Sequence, residues 1–173
     1  FDILVALTKL MAPVLSFTAE EIWRMLPESV RVDSKADSVH LAMFPEVDPR
    51  WNDLVLAERW EQLLEVRTAV QAALEVQRRE KVIGAPLEAK VLIDAHSAQY
   101  NLLKTYGQDL PAFFIVSDVV LQSAPDLPEK PGFVITVEKA TGVKCERCWN
   151  YRRSVGTSSD HPTLCDRCVE AVR

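Results

Sequence analysis

Cys145-Glu-Arg-Cys148 and Cys165-Asp-Arg-Cys168 hold the only four cysteines of this 173-residue chain. A Cys-x-x-Cys turn lets two sulfurs face one point while nearby backbone N–H groups soften the thiolate charge. Two such turns supply the closed tetrahedron that Zn²⁺ takes in structural sites. Four thiolates leave no open position for water, so the expected chemistry is structural: one Zn²⁺ organising a segment of about thirty residues that is too short to bury a core. His161 is a possible substitute ligand but reads as a loop residue, because four sulfurs complete the shell. Two disulfides or a redox Cys-x-x-Cys would use the same residues. Residues 1–144 carry no cysteine, and the pairs match each other across a polar loop, so metal is the favoured reading.

No other chemistry is visible. There is no Gly-rich phosphate loop, no Ser/His/Asp set and no HExxH, so no catalytic residue is assigned. No apolar run reaches the eighteen or so residues of a membrane span. The net charge of −5 is unevenly spread: residues 144–173 hold six Lys+Arg against four Asp+Glu, and residues 1–143 hold fourteen against twenty-one. Zinc on four thiolates removes two charges from the tail and leaves it close to neutral, which weakens a purely electrostatic case for nucleic acid. The opening residues, Phe1 to Leu7, begin inside an apolar helical pattern with neither an initiator Met nor an N-cap, as expected of a piece of a longer polypeptide.

The elements ahead of the cysteines divide into two kinds. Leu4, Leu7 and Met11 recur at helical spacing as far as Pro13, and a second helix is expected to open with Thr18 and Glu21 as a capping box, with Phe17 and Ile22 as a hydrophobic staple and Pro27 as its stop. Residues 28–50 read as loop with one short extended piece, Val39 to Phe44, in which His40 is an ordinary surface or packing residue. The longest helix is expected from about Asn52 to Val82. Trp60, Leu63, Val66, Val70, Ala73 and Leu74 form its apolar stripe, read as the face of a helical bundle. Trp23 and Trp60 are expected in the core. On the polar face Glu75 and Arg79 pair at i,i+4, and Arg78, Arg79 and Lys81 form the only basic cluster, most of the face being simply solvated.

After Gly84-Ala-Pro86 the hydrophobic period changes from 3.6 to 2 through Leu87, Ala89, Val91 and Ile93. A helix from Ser97 to Tyr106 and strands at Phe113–Val116, Val119–Leu121 and Phe133–Val137 complete a small α/β unit. The fold class expected is α+β in several parts: a helical region over 1–83, an α/β unit over 84–140 and a Cys₄ zinc finger or ribbon over 141–173.

The order of these parts resembles a known family. Leu10-Met-Ala-Pro-Val-Leu-Ser-Phe-Thr-Ala-Glu-Glu-Ile-Trp23 resembles the anticodon-binding domain of class Ia aminoacyl-tRNA synthetases, and Ser38-Val-His-Leu-Ala-Met-Phe-Pro45 resembles the connector that follows it. Leu74-Glu-Val-Gln-Arg-Arg-Glu-Lys-Val-Ile-Gly-Ala-Pro-Leu-Glu-Ala-Lys-Val91 is similar to the junction of the bacterial isoleucyl enzymes. Lys144-Cys-Glu-Arg-Cys-Trp-Asn-Tyr151 with Leu164-Cys-Asp-Arg-Cys-Val-Glu-Ala-Val172 is similar to their carboxy-terminal finger. The first motif is shared with valyl and leucyl enzymes, so the isoleucyl assignment rests on the junction and the finger.

The resemblance implies a cytoplasmic ligase that joins isoleucine to its tRNA with ATP on a Rossmann domain. The HIGH and KMSKS motifs are absent here, so ATP binding belongs to sequence outside this chain. What remains is expected to be the non-catalytic tRNA-binding end, partnered by the isoleucine tRNA and by the rest of the synthetase polypeptide. The finger also resembles that of formamidopyrimidine-DNA glycosylases, which need a catalytic amino-terminal Pro and a helix-two-turn-helix not seen here. A zinc-ribbon protein-interaction module is a third reading.

RNA is read from unstacked bases on flat aromatic or guanidinium surfaces, with cations placing the phosphates. Trp149 and Tyr151 follow the first knuckle and Arg147, Arg152, Arg153 and Arg167 surround them, so these six are the candidate tRNA contacts. Trp149 packed on the knuckle as a miniature core is the competing reading.

Overall fold

The computed structural model describes residues 1–31 and 36–172. By contacts the chain forms two compact units, Phe1–Asp53 and Leu54–Arg173.

The first unit is a pair of helices, α1 (Asp2–Met11) and α2 (Ser16–Met25), with single 3₁₀ turns at Val39–Leu41 and Pro49–Trp51. Ala12, Ala19, Trp23, Leu26 and Val39 form its core. Trp23 is fully buried as expected, and its indole N–H donates to the Ala36 carbonyl at 3.0 Å, so the ring's one polar atom is satisfied.

The expected capping box does not form. Helix α2 begins three residues earlier, with Leu15 at its N-cap and no side-chain cap, which makes Thr18 an ordinary first-turn residue. Phe17 is 93% exposed, so there is no staple. The helix instead continues one turn further back, where the Ala19 N–H bonds Leu15 O directly, and Ala19 and Trp23, four apart, share the face that meets the core. The acid that matters is Glu20. Its carboxylate accepts from Ser38 Oγ (2.7 Å), Val39 N (3.1 Å) and Arg24 Nε (3.0 Å), and the Ser38 hydroxyl chiefly holds its pKa below the usual carboxylate range.

The expected extended piece Val39–Phe44 is not extended in its first half, Val39–Leu41, although Ala42 is. The Ser38 hydroxyl accepts the His40 N–H at 3.3 Å and closes a 3₁₀ turn in which Val39 alone is buried, so local side-chain capping overrides β propensity. His40 is exposed, in line with its ordinary reading. Of the expected loop 28–50, residues 32–35 lie outside the described residues.

The second unit is built around α3 (Leu54–Arg79) and a three-stranded sheet of order β2-β1-β3. Strand β1 (Ala89–Ala95) is central, parallel to β2 (Asp118–Ser123) and antiparallel to β3 (Phe133–Lys139), with Ile93 opposite Leu121 and Ile135. Ala89, Val91, Ile93 and Ala95 are all fully buried, so the period-2 reading holds.

The stripe of α3 is not a bundle face. Leu63, Val66, Val70 and Leu74 join one core with those strand residues and with Leu103, Leu110 and Phe114, so the helix covers the sheet. Periodicity shows only that a stripe is apolar, and a helix or a sheet covers it equally well. This packing places α3 in the second compact unit, Leu54–Arg173. Trp60 is 40% exposed and sits edge-on to Phe113 at 5.5 Å, at the margin of the core and not inside it.

Two further elements differ from expectation. Phe113–Val116 is not a strand: α5 (Leu110–Phe114) ends there, with Pro111 in its first turn and Ile115 left-handed at φ 60°. A short apolar run has no decisive period. Helix α3 stops before Gly84, because Lys81 turns left-handed (φ 61°) and the Val82 N–H closes back on Gln77 O. Glu75 accepts from both Arg78 (2.9 Å) and Arg79 (3.2 Å), so two of the three basic residues are held by one acid. Helix α4 (Ser97–Thr105) lies where the sequence placed it.

Ile93→Ala should cost about 2–5 kcal/mol, because it empties a fully buried position on the central strand. Denaturant unfolding reads this directly, and a loss under about 1 kcal/mol would place the core elsewhere.

Candidate metal centre

The tail opens with a two-stranded ribbon, β4 (Val143–Lys144) against β5 (Tyr151–Arg152), and closes with α6 (Asp166–Glu170). Gly142 makes the ribbon possible. Its φ is +104°, and a Cβ there would lie 2.5 Å from the Arg152 carbonyl carbon.

Each cysteine pair sits on a different local structure. In the first knuckle the Trp149 N–H bonds Cys145 O and the Cys145 N–H bonds Asn150 O, both at 2.9 Å, with Trp149 left-handed at φ 65°. Asn150 Nδ2 holds Cys148 O at 3.3 Å. The second knuckle is the start of α6, where the Val169 N–H bonds Cys165 O at 2.9 Å. Ser154 Oγ donates to Asp166 at 2.8 Å, tying the intervening loop to that helix and lowering the Asp166 pKa.

These turns bring all four sulfurs within 4.8 Å of one another. All four cysteines are free, and Cys148 Sγ lies 3.7 Å from Cys165 Sγ, far beyond a disulfide bond. A tetrahedron with bonds of about 2.3 Å to Zn²⁺ has edges of about 3.8 Å, so the cage fits that ion. His161 is not among the clustered ligands.

The protein also supplies N–H groups to the sulfurs. Burial works to push the Cys145 thiol up, but the backbone N–H groups of Cys148, Cys165 and Arg147 outweigh it and bring it down to about 6. At Cys165 burial dominates and the neighbouring thiols add to it, pushing it up to about 12. Arg147 Nη1 stands 3.7 Å from Cys168 Sγ, so one of the candidate RNA arginines also steadies a metal ligand. Around the cage, Val155 and Leu164 are the main apolar cover.

Of the other candidate contacts, four fall on β5 and the residues either side of it and one, Arg167, falls on α6. Trp149 is 60% exposed, with Lys144 Nζ 5.4 Å from its ring centre, so it is not the miniature core of the knuckle. Tyr151 and Arg152 are half-buried on β5, Arg153 is exposed just beyond it, and Arg167 is exposed on α6. Sequence reasoning missed Lys144, whose position beside Trp149 follows from the β4–β5 pairing and leaves no signal in spacing alone.

One Zn²⁺ per chain is expected, and Cys165→Ser should unfold the tail while far-UV signal from the helices persists. Metal analysis giving two ions, or none with a folded tail, would end this reading. Zinc must displace the proton that Cys165 holds up to about pH 12. Affinity should therefore rise with pH, by roughly tenfold per pH unit for each proton displaced, and fall further once Cys145 protonates near pH 6. Competition with a chromophoric chelator at pH 6, 7 and 8 measures this, and an affinity flat across that range would contradict it.

Comparison with known proteins adds the lineage. Residues 1–93 match the family described as the anticodon-binding domain of tRNA ligase, and residues 142–171 match the zinc finger found in FPG and IleRS. The chain is 47% identical over 179 residues to the isoleucine–tRNA ligase of Syntrophotalea carbinolica, an alignment that takes in 99% of the chain and 19% of that protein. It is 46% identical to the isoleucine–tRNA ligase of Geobacter sulfurreducens and 41% identical to that of Caldanaerobacter subterraneus, covering 99% of the chain and 18% and 19% of those proteins. The chain thus spans about a fifth of the length of the curated relatives it matches. The finger type alone is shared with the glycosylases, whereas the match over residues 1–93 is not a glycosylase feature. With that match covering more than half its length, the chain belongs to the anticodon-binding-domain family of tRNA ligases and carries a structural zinc finger.

Proposed function

We propose that this chain is the tRNA-binding C-terminal region of an isoleucine–tRNA ligase, and that it grips the isoleucine tRNA on its anticodon side without contributing to catalysis. The observation that carries the reading is the joint presence of the anticodon-binding match and the IleRS-type finger in one chain. The names of the relatives point the same way. On this reading, isoleucine activation with ATP belongs to the remainder of a longer cytoplasmic enzyme. Among the described residues no helix is long and apolar enough to cross a membrane.

In this account Trp149 stacks an unpaired base, Lys144 and Arg153 place phosphates beside it, and Tyr151, Arg152 and Arg167 complete the surface. Arg147 divides its role between RNA and Cys168. The exposed indole face and the cations around it support this division.

A filter-binding titration against tRNA, duplex DNA and metal-depleted protein separates the readings. Binding of tRNA that weakens steeply with salt is expected, whereas preference for duplex DNA would favour the glycosylase-like reading. Trp149→Ala should cost about 1–3 kcal/mol in tRNA affinity with zinc retained and the salt slope unchanged. Arg153→Ala should flatten that slope by roughly 0.7 to 0.9 for each phosphate it no longer neutralises. Full affinity in zinc-loaded Trp149→Ala would remove the stacking role.

A further inference from the structure

Ser117 is the one fully buried residue of the α5–β2 connector whose side chain is polar, and it faces three segments at once. Its N–H donates to Ala89 O at 3.1 Å, at the start of the central strand. Its hydroxyl donates to Leu87 O at 2.5 Å, in the 3₁₀ turn just before that strand. The same oxygen accepts the backbone N–H of Tyr151 at 2.7 Å. Tyr151 belongs to β5 of the finger, two residues beyond Trp149 and next to Arg152 and Arg153.

A second tie meets the same place. The Ala140 N–H, where the chain leaves β3 for the finger, donates to Glu88 O at 2.6 Å. The finger is therefore attached at its root by Ala140, which bonds Glu88 O, and along its ribbon by Tyr151, which bonds the Ser117 hydroxyl, and Ser117 is in turn tied to Leu87 and Ala89. One point of attachment lets a small module swivel, whereas two fix its angle. The finger's own core is the cysteine cage with Val155 and Leu164 packed against it, so these polar ties carry much of its orientation.

We propose that the Ser117 hydroxyl is a positioning group for RNA recognition: it locks the finger onto the α/β unit so that Trp149 and the arginines beside it are presented to RNA at one fixed angle. The RNA half of this rests on the proposed function, and the locking half does not. Removing the hydroxyl strands the backbone N–H of Tyr151, itself a candidate contact, but touches no zinc ligand and removes no candidate RNA-binding side chain. The finger should then stay folded and zinc-loaded but lose its fixed orientation, and RNA binding should include the cost of restoring it.

The test is Ser117→Ala in the zinc-loaded 173-residue chain, with three readouts. Residual dipolar couplings of backbone N–H vectors should fit one alignment for finger and sheet in the parent protein and two in the variant. Amide exchange at Tyr151 should speed up by at least about tenfold, while Trp149, whose bond to Cys145 is internal to the finger, keeps its protection. Affinity for the tRNA should fall roughly three- to tenfold with an unchanged salt slope, since every phosphate-binding cation is still present. One shared alignment with Tyr151 still protected would overturn the lock. Two alignments with undiminished tRNA affinity would overturn the positioning role. If Ser117→Ala does not fold, Tyr151 exchange in the parent decides the lock: an amide exchanging at the rate of an open loop overturns it. A parent chain that binds no tRNA but shows one alignment sinks the proposed function and leaves the lock standing.

Discussion

Four thiolates gathered within 4.8 Å are the constraint on which the tail of this protein depends. Left as charges they repel one another, and left as thiols they bury polar groups with few partners. The surrounding chain settles the conflict in two ways. Backbone N–H groups converge on Cys145 strongly enough to outweigh its burial, and the remaining sulfurs sit where a divalent cation neutralises them. Trp149, left-handed at the end of the first knuckle, keeps its own N–H on Cys145 O while its ring stays exposed.

The cage makes a folded module but does not aim it. Aim comes from the α/β unit, whose central strand is covered by α3 and which receives the finger at Glu88 O and at the Ser117 hydroxyl. The long helix therefore matters to the finger, through the sheet it covers. Proteins that bind RNA through a few side chains benefit when those side chains are held in place before the encounter, because the ordering cost is then met by folding.

How much of this was legible in the sequence varied with the kind of signal. The cysteine spacing announced the metal cage because ligand chemistry permits few alternatives, and the alternation from Leu87 to Ile93 announced a strand, although Leu87 itself falls in the 3₁₀ turn before it. The stripe on α3 was visible, but its partner was not, since an apolar stripe carries no label for what covers it. Thr18 and Glu21 matched a capping pattern by spacing, yet the helix runs one turn further back to Leu15, and residue spacing alone does not fix where a helix begins. Phe113–Val116 was too short for a period and folded by the turn preference of Pro111. Ser117 gave no signal at all: a single serine between an apolar helix and a strand is ordinary until its partners, 30 and 34 residues away, are known.

The central claim is that the ribbon from Lys144 to Arg153 is an RNA-binding surface held by zinc and by the sheet. Hydrogen exchange on the zinc-loaded chain, with and without tRNA, tests it most directly. The account predicts that tRNA slows exchange across residues 144–153 and that chelating the metal abolishes this protection. Unchanged exchange in that segment at saturating tRNA, or protection that survives loss of zinc, would contradict it.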